Sequence, residues 1–79
     1  MENAVKLSES KNQAIESLRQ ALPPIIWRAD RQAWRLLPLS PRTVANRDSL
    51  GEGPSGRVVL RGRVGYERDA LLAWLAGRA

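Results

Sequence analysis

Apolar residues in the first third of the chain recur at helical spacing. Ser10-Lys11-Asn12-Gln13 has the S-x-x-Q form of a capping box and predicts a helix that begins near Lys11. Pro23-Pro24 cannot continue a helix, so we expect it to end near Ala21. Its apolar face either packs on the rest of the chain or pairs two protomers, and the small size of the domain favours packing. This face contains Ala14, Ile15, Leu18 and Leu22.

A second, short helix is predicted after an extended apolar segment. Residues 25–27 should lie extended over the core, and Asp30 is a suitable N-cap for a helix over residues 31–37. Pro38 ends this helix, and we expect Leu39 to fill the core across the turn. Helical spacing places Arg31 and Arg35 outward and Ala33, Trp34 and Leu37 inward.

The third predicted helix has a thin apolar face. Ser40-Pro41 gives an N-cap followed by proline at the first helical position, and Gly51 gives a left-handed stop after residues 41–50. Val44 and Leu50 are the expected core contacts. The outer face is polar, which is typical of a helix that reads DNA, the alternative being an ordinary surface helix. This face contains Arg42, Thr43, Asn46 and Arg47.

A glycine-rich loop over residues 51–56 precedes a predicted hairpin. The two β-rich runs, residues 57–60 and 63–66, flank Arg61-Gly62, and glycine supplies the positive φ of a tight turn. Arg61 and Arg63 would lie at its tip, where they could reach the backbone or minor groove of a duplex.

The last predicted helix covers residues 67–76 and serves as scaffold. Glu67 and Asp69 lie near its positive N-terminus, and Gly77 is expected to end it. We assign it no direct role in binding, because its main feature is an apolar face made by Leu71, Leu72, Trp74 and Leu75.

Composition excludes most enzyme classes. The 79 residues allow one domain. They include no cysteine and no histidine, so the chain lacks the usual zinc ligands, a thiol nucleophile and the commonest general base. No carboxylate pair is spaced for acid–base catalysis, so we expect no catalytic residue, metal or cofactor. The apolar runs are too short to cross a bilayer, and Met1 is followed by Glu2 rather than a basic leader. These features predict a soluble, cytoplasmic protein.

The net charge of +5 belongs to the second part of the chain. Up to Leu22 three cations balance three carboxylates, whereas from Pro23 onward ten arginines face five carboxylates. Arginine offers a planar fork of donors that suits phosphate and the edge of guanine. The alternative is a solvated basic surface that only aids solubility.

Several motifs in the second part of the chain occur together in one known family. They are Ser40, Arg42-Thr43-Val44, Asn46, Ser49-x-Gly51-Glu52-Gly53-Pro54, Arg63-Val64-x-Tyr66 and Leu71-x-x-Trp74-Leu75. In these positions and in the order of its elements, the segment 25–78 resembles the winged helix-turn-helix domain of phage excisionases, AlpA-type prophage regulators and MerR-type proteins. The chain departs from that pattern at Arg47, where an aromatic residue is frequent, and at Gly65, where a basic residue is frequent. Pro38 replaces the usual turn glycine, and Asp30 substitutes for a Ser or Thr cap at Ala29.

The resemblance implies a mainly α fold with a small β-hairpin, a winged helix-turn-helix with an additional N-terminal helix. Residues 1–24 would form the N-terminal segment, and residues 25–79 the DNA-binding domain. The expected partners are double-stranded DNA, further copies of the chain in a homodimer or cooperative array, and an integrase or recombinase. The predicted contacts are Ser40, Arg42, Thr43, Asn46 and Arg47 on the recognition helix, and Arg57, Arg61 and Arg63 on the wing.

Three functional hypotheses follow. The first is a sequence-specific DNA-binding protein of a prophage or mobile element, acting either as an excisionase-type recombination directionality factor or as a transcriptional regulator. The second is a protein-interaction module that docks through the apolar face of its N-terminal helix. An enzyme ranks third, because a Ser or Thr nucleophile would lack a base. Ten arginines spread evenly over the surface would favour the second hypothesis, whereas a single face that contains Arg42, Arg47, Arg61 and Arg63 would favour the first.

Overall fold

A computed structural model describes residues 2–78, which form a small α+β domain with four helices and a three-stranded antiparallel sheet. The chain order is α1 (Glu2–Ala21), β1 (Ile25–Trp27), α2 (Arg31–Leu36), α3 (Pro41–Ser49), β2 (Arg57–Leu60), β3 (Arg63–Glu67) and α4 (Arg68–Arg78). Within the described residues, no helix is long and apolar enough to span a membrane.

Helix α1 begins nine residues earlier than the capping-box prediction placed it. The helix already includes Glu2, so Ser10 lies inside it and is not its N-cap. The segment before Lys11 contains no proline or glycine, and each residue added to an existing helix gains a backbone hydrogen bond. Propagation therefore overrides the local capping signal.

The C-terminal half of α1 packs on the rest of the chain. Leu22 is buried, and Ile15 and Leu18 are partly buried against the same core, as the packing prediction required. Ala14 was expected on this face but is exposed. Arg19 on α1 is 3.2 Å from Asp69 on α4, and with the adjacent Arg68 it holds the pKa of the Asp69 carboxyl below its ordinary value, Arg68 contributing most.

The predicted hairpin gains a third strand. Residues 25–27 are extended over the core, as predicted, and they also pair with β3 as strand β1, with Ile26 opposite Tyr66 and the strand order β1-β3-β2. Ile26 is fully buried, so pairing both satisfies the backbone of β1 and places this side chain in the core. The predicted hairpin thus forms two strands of a three-stranded sheet, with β3 at the centre and β2 at one edge.

The caps predicted for α2 and α3 are present. The Asp30 side chain accepts a hydrogen bond from the Ala33 amide, and Ser40 accepts one from the Thr43 amide, with Pro41 at the first helical position. Leu37, predicted as the last residue of α2, is its C-cap instead. Leu50, predicted as a core contact of α3, is 67% exposed because the helix ends before it can turn the side chain inward.

Helix α4 begins and ends later than predicted. Glu67 is the last residue of β3, pairing with Ile25, and Gly77 lies inside the helix rather than ending it. No positive φ is found at Gly77, which a left-handed stop would need. The core joins all the helices to the sheet, and its buried members are Leu22, Ile26, Ala33, Trp34, Leu37, Val44, Tyr66, Leu71 and Leu72.

Candidate functional site

The exposed face of α3 carries the side chains predicted to read DNA. Arg42, Thr43 and Asn46 are exposed, while Val44 on the opposite face is fully buried. Ser40 is also exposed, but its hydroxyl already accepts from the Thr43 amide at 3.2 Å and bonds the Thr43 hydroxyl at 3.0 Å. Arg42 and Asn46 therefore offer the polar groups of this face that the fold does not use.

The C-terminal end of α3 is fixed by a Schellman motif. The Glu52 amide donates to the Arg47 carbonyl at 2.8 Å and the Gly51 amide to the Asp48 carbonyl at 3.0 Å, with Gly51 at φ +74° as predicted. The Arg47 guanidinium lies 3.7 Å from the Glu52 carboxylate and is only partly exposed. Arg47 was predicted to face outward, and it is instead partly held against the end of its own helix.

The loop that follows α3 is anchored by the closing helix. The Trp74 indole N–H donates to the Glu52 carbonyl at 2.9 Å, while Leu71 and Leu72 fill the core beside it. This geometry agrees with the scaffold role expected of α4.

A polar cluster that the sequence prediction missed connects three parts of the fold. Arg28, just after β1, donates to the Asp48 carboxylate in α3 at 2.9 Å and to the Tyr66 hydroxyl in β3 at 2.6 and 2.9 Å. The Tyr66 hydroxyl in turn donates to Asp48. Gly53 leaves room for that carboxylate, because a Cβ there would lie 2.0 Å from Asp48 Oδ1. The cluster fixes the end of α3 against the sheet.

The polar cluster and the burial of Tyr66 shift the pKa of its hydroxyl. Burial raises the pKa of its hydroxyl above the ordinary value, and the hydrogen bond to the Asp48 carboxylate raises it further, while Arg28 lowers it. The neutral hydroxyl therefore remains a donor to Asp48. One sequence signal could have revealed the cluster: Asp48 lies in the last turn of α3, where a helix dipole disfavours an unpaired carboxylate.

The hairpin formed by β2 and β3 ends in a tight turn with a basic tip. Arg61 and Gly62 have φ values of +51° and +78°, the two positive φ values of a type I′ turn, and Leu60 pairs with Arg63. Arg57, Arg61 and Arg63 are all exposed, as expected of wing residues. Val59 and Leu60 are exposed as well, at 55% and 61%, which the sequence prediction did not consider.

Gly65 explains one departure from the family pattern. A Cβ at this position would lie 2.8 Å from Trp27 Cε3 and 3.0 Å from Ile25 Cγ2, because both β1 side chains lean across the glycine. A longer side chain at this position would displace them, so the glycine allows β1 to pack closely on β3.

Two surface depressions meet at Arg28. One, of about 330 Å³, lies between α2 and the start of α3 and is lined by Arg31, Arg35, Ser40 and Pro41 together with Arg28. The other, of about 420 Å³, extends from Arg28 to Gly62 and Arg63 at the hairpin tip. Arg28 therefore lines both depressions, one at the start of α3 and one that reaches the hairpin tip.

The arginines divide into two groups by their partners. Arg19, Arg28, Arg47 and Arg68 each have a carboxylate within 4 Å. Among the residues whose side chains the structure describes, the arginines without such a partner lie only on α2, α3 and the hairpin. They are Arg31, Arg35, Arg42, Arg57, Arg61 and Arg63.

The described residues contain no group of three His, Cys, Asp or Glu side chains that could hold a metal ion. Comparisons with protein-family models, with curated proteins and with solved structures give no match.

Proposed function

We propose that this chain is a sequence-specific double-stranded DNA-binding protein built as a winged helix-turn-helix. In this proposal α2 and α3 form the helix-turn-helix, the hairpin is the wing, and α1 is the additional N-terminal helix. The observation that carries the proposal is the location of the unpaired arginines on α2, α3 and the hairpin. If these elements face a duplex, they need cations, because contacts with phosphate supply much of the affinity of a protein for DNA.

Helix α3 would lie in the major groove. Asn46 offers the donor and acceptor pair that matches adenine, and Arg42 offers the bidentate donors that match guanine O6 and N7. Ser40 and Thr43 at the start of the helix would lie near phosphate oxygens. Arg47 would add a phosphate contact if its guanidinium left the Glu52 carboxylate to pair with the phosphate. Sequence preference would therefore depend mainly on Arg42 and Asn46.

The wing would supply affinity that does not depend on sequence. Arg57, Arg61 and Arg63 would contact the adjacent backbone or minor groove, while Arg28 would fix the angle between α3 and the wing through Asp48 and Tyr66. Arg31 and Arg35 would face the backbone beside the start of α3.

The biological role follows from how such a module gains affinity. Single modules bury roughly 600–1,000 Å², so tight binding would need a homodimer or a cooperative array on DNA. We place the protein in the cytoplasm of a cell that carries a prophage or mobile element, as an excisionase-type directionality factor beside an integrase or as a transcriptional regulator. The two roles require the same surface.

The interaction-module hypothesis would use the apolar face of α1. Leu22 is buried, and Ile15 and Leu18 are partly buried against the protein's own core, so a partner would have to displace them. Among the arginines whose side chains the structure describes, those without a carboxylate partner lie on α2, α3 and the hairpin, although Arg47 pairs with Glu52. These observations support the DNA hypothesis over the interaction module.

A duplex titration at two salt concentrations tests the proposal. We expect the purified chain to bind a random-sequence duplex with a dissociation constant of roughly 10⁻⁴–10⁻⁶ M near physiological salt, and more tightly at low salt. Selection from a randomised duplex pool should then yield a preferred sequence. A chain that bound no duplex at low salt would exclude the proposal.

A further inference from the structure

The tip of the hairpin is apolar on both of its faces. Val59 is 55% exposed and pairs with Val64, whereas Leu60 is 61% exposed and pairs with Arg63. Consecutive strand residues point to opposite faces, so these two large side chains project on either side of the ribbon. In the described part of the chain nothing buries either of them, although each leaves apolar area in water.

The charged side chains next to this apolar tip along the hairpin are cationic. Arg57, Arg61 and Arg63 are exposed, and the one acidic side chain of the hairpin, Glu67, is at the end of β3 away from the turn. Apolar side chains framed by cations complement the minor groove of a duplex, where stacked bases lie between two rows of phosphates. An apolar protein partner would gain nothing from the three flanking charges.

The hairpin has the reach and the rigidity to place this tip. Arg57 and Val58 lie opposite the part of β3 that also pairs with β1, so only Val59 and Leu60 of β2 extend beyond the three-stranded region. They extend by about 7 Å at ~3.3 Å per residue, which is comparable to the ~7.5 Å depth of the minor groove. The base of the hairpin is held by the pairing of β3 with β1, and the Arg28 amide donates to the Val64 carbonyl at 2.9 Å. A side chain at the tip is therefore presented on a fixed support.

We propose that Leu60 acts as an apolar wedge that inserts from the minor groove into a base step and bends the DNA. This inference rests on the proposed function and specifies how the wing engages its duplex. Leu60 is assigned this role over Val59 because it adjoins the turn and is the more exposed. Unstacking a step costs a few kcal/mol, so the wedge should prefer the pyrimidine–purine steps that deform most easily.

Fluorescence of duplexes containing 2-aminopurine beside a TA step tests this role, together with energy transfer between dyes at the duplex ends. Unmodified protein at saturation should raise the 2-aminopurine emission and shorten the end-to-end distance. Leu60→Ser should lose at least half of both signals, and Leu60→Met, which keeps an apolar side chain, should retain them. Leu36→Ser is the matched control, because Leu36 is 50% exposed on α2 beside Ala21 and Pro23, away from the hairpin.

The outcomes separate the wedge from DNA binding itself. Duplex binding with no 2-aminopurine response, or with the same response for Leu60→Ser as for the unmodified protein, would overturn the wedge and leave the proposed function standing. A Leu60→Ser variant that changed only the oligomeric state in sedimentation would also overturn it and make the tip a contact between copies of the chain. Absence of duplex binding at low salt would remove both proposals.

Discussion

The guanidinium of Arg28 and the carboxylate of Asp48 form an ion pair at 2.9 Å between the segment after β1 and the last turn of α3. Both groups also bond the hydroxyl of Tyr66, and the Asp48 side chain is only 9% exposed. The pair therefore fixes α3 relative to the sheet from which the hairpin extends. Under the proposed function, this contact sets the angle between recognition helix and wing.

Removing Arg28 should destabilise the fold. Arg28→Ala leaves the nearly buried Asp48 carboxylate with the Tyr66 hydroxyl alone, and losing a hydrogen bond to a charged group costs about 1.5–3 kcal/mol. Urea unfolding followed by tryptophan fluorescence measures the loss. Arg31→Ala, at an exposed arginine without a carboxylate partner, should change stability by less than about 0.5 kcal/mol. Equal effects of the two substitutions would show that the cluster contributes nothing.

Tyr66 should titrate above the ordinary tyrosine pKa of 10.0, because burial and the Asp48 hydrogen bond favour its neutral form. A pKa raised by folding gives stability that is present below pH 10.0 and is lost as the pH rises through the folded value. Tyr66 is the chain's one tyrosine, so the tyrosinate absorbance reports it alone, and Tyr66→Phe supplies the baseline. A midpoint at or below 10.0 would contradict the buried cluster.

Substitutions on α3 and on the hairpin should weaken DNA binding in different ways. Arg42→Ala and Asn46→Ala should each cost about 1–3 kcal/mol against the preferred sequence and little against random duplexes. Arg61→Ala should weaken all duplexes similarly and reduce the salt slope by about 1. Titrations of both duplexes at several salt concentrations measure these effects, with Lys11→Ala, an exposed cation on α1, as control. Identical salt slopes for Arg61→Ala and Lys11→Ala would leave the hairpin without a DNA contact.

Arg61 should be a poor residue for its backbone position. Its φ of +51° is left-handed, which costs most L-residues roughly 1–2 kcal/mol, and Asn-Gly is the preferred sequence for a type I′ turn. Arg61→Asn should therefore raise the free energy of unfolding, by up to about 1 kcal/mol, while it weakens DNA binding. Thermal unfolding and duplex titration of the same preparation test the pair of effects. Loss of binding together with loss of stability would point to misfolding instead of a lost contact.

Alanine substitution at two glycines should change the free energy of unfolding in opposite directions. Gly65→Ala brings a Cβ against the Trp27 ring and the Ile25 side chain, so we expect overpacking to cost about 1–3 kcal/mol. Gly77→Ala meets nothing within 4 Å inside α4 and should stabilise by up to about 1 kcal/mol. Chemical denaturation of both variants checks the signs. A stabilising Gly65→Ala would mean that β1 does not lean across β3.

Local signals predicted the middle of the chain well. The N-caps Asp30 and Ser40, the Gly51 stop and the Arg61-Gly62 turn each involve bonds or φ values within a few residues, so their residue types reveal them. The predicted start of α1 was wrong because an existing helix can propagate past a capping sequence. The residue types alone do not decide whether the helix continues or is capped. The candidate arginines of α3 and the hairpin could be named from the same local periodicity.

The sequence by itself determined the order of the helices, the tight turn of the hairpin, and the excess of arginine after Pro23. Only the tertiary structure decided that β1 joins the sheet, that Arg28 bridges Asp48 and Tyr66, and which arginines keep free charges. These contacts join residues 18 to 42 positions apart, and whether such residues meet depends on how the whole core packs. Capping and turn formation are local in sequence, whereas strand pairing and ion pairing depend on distance in space.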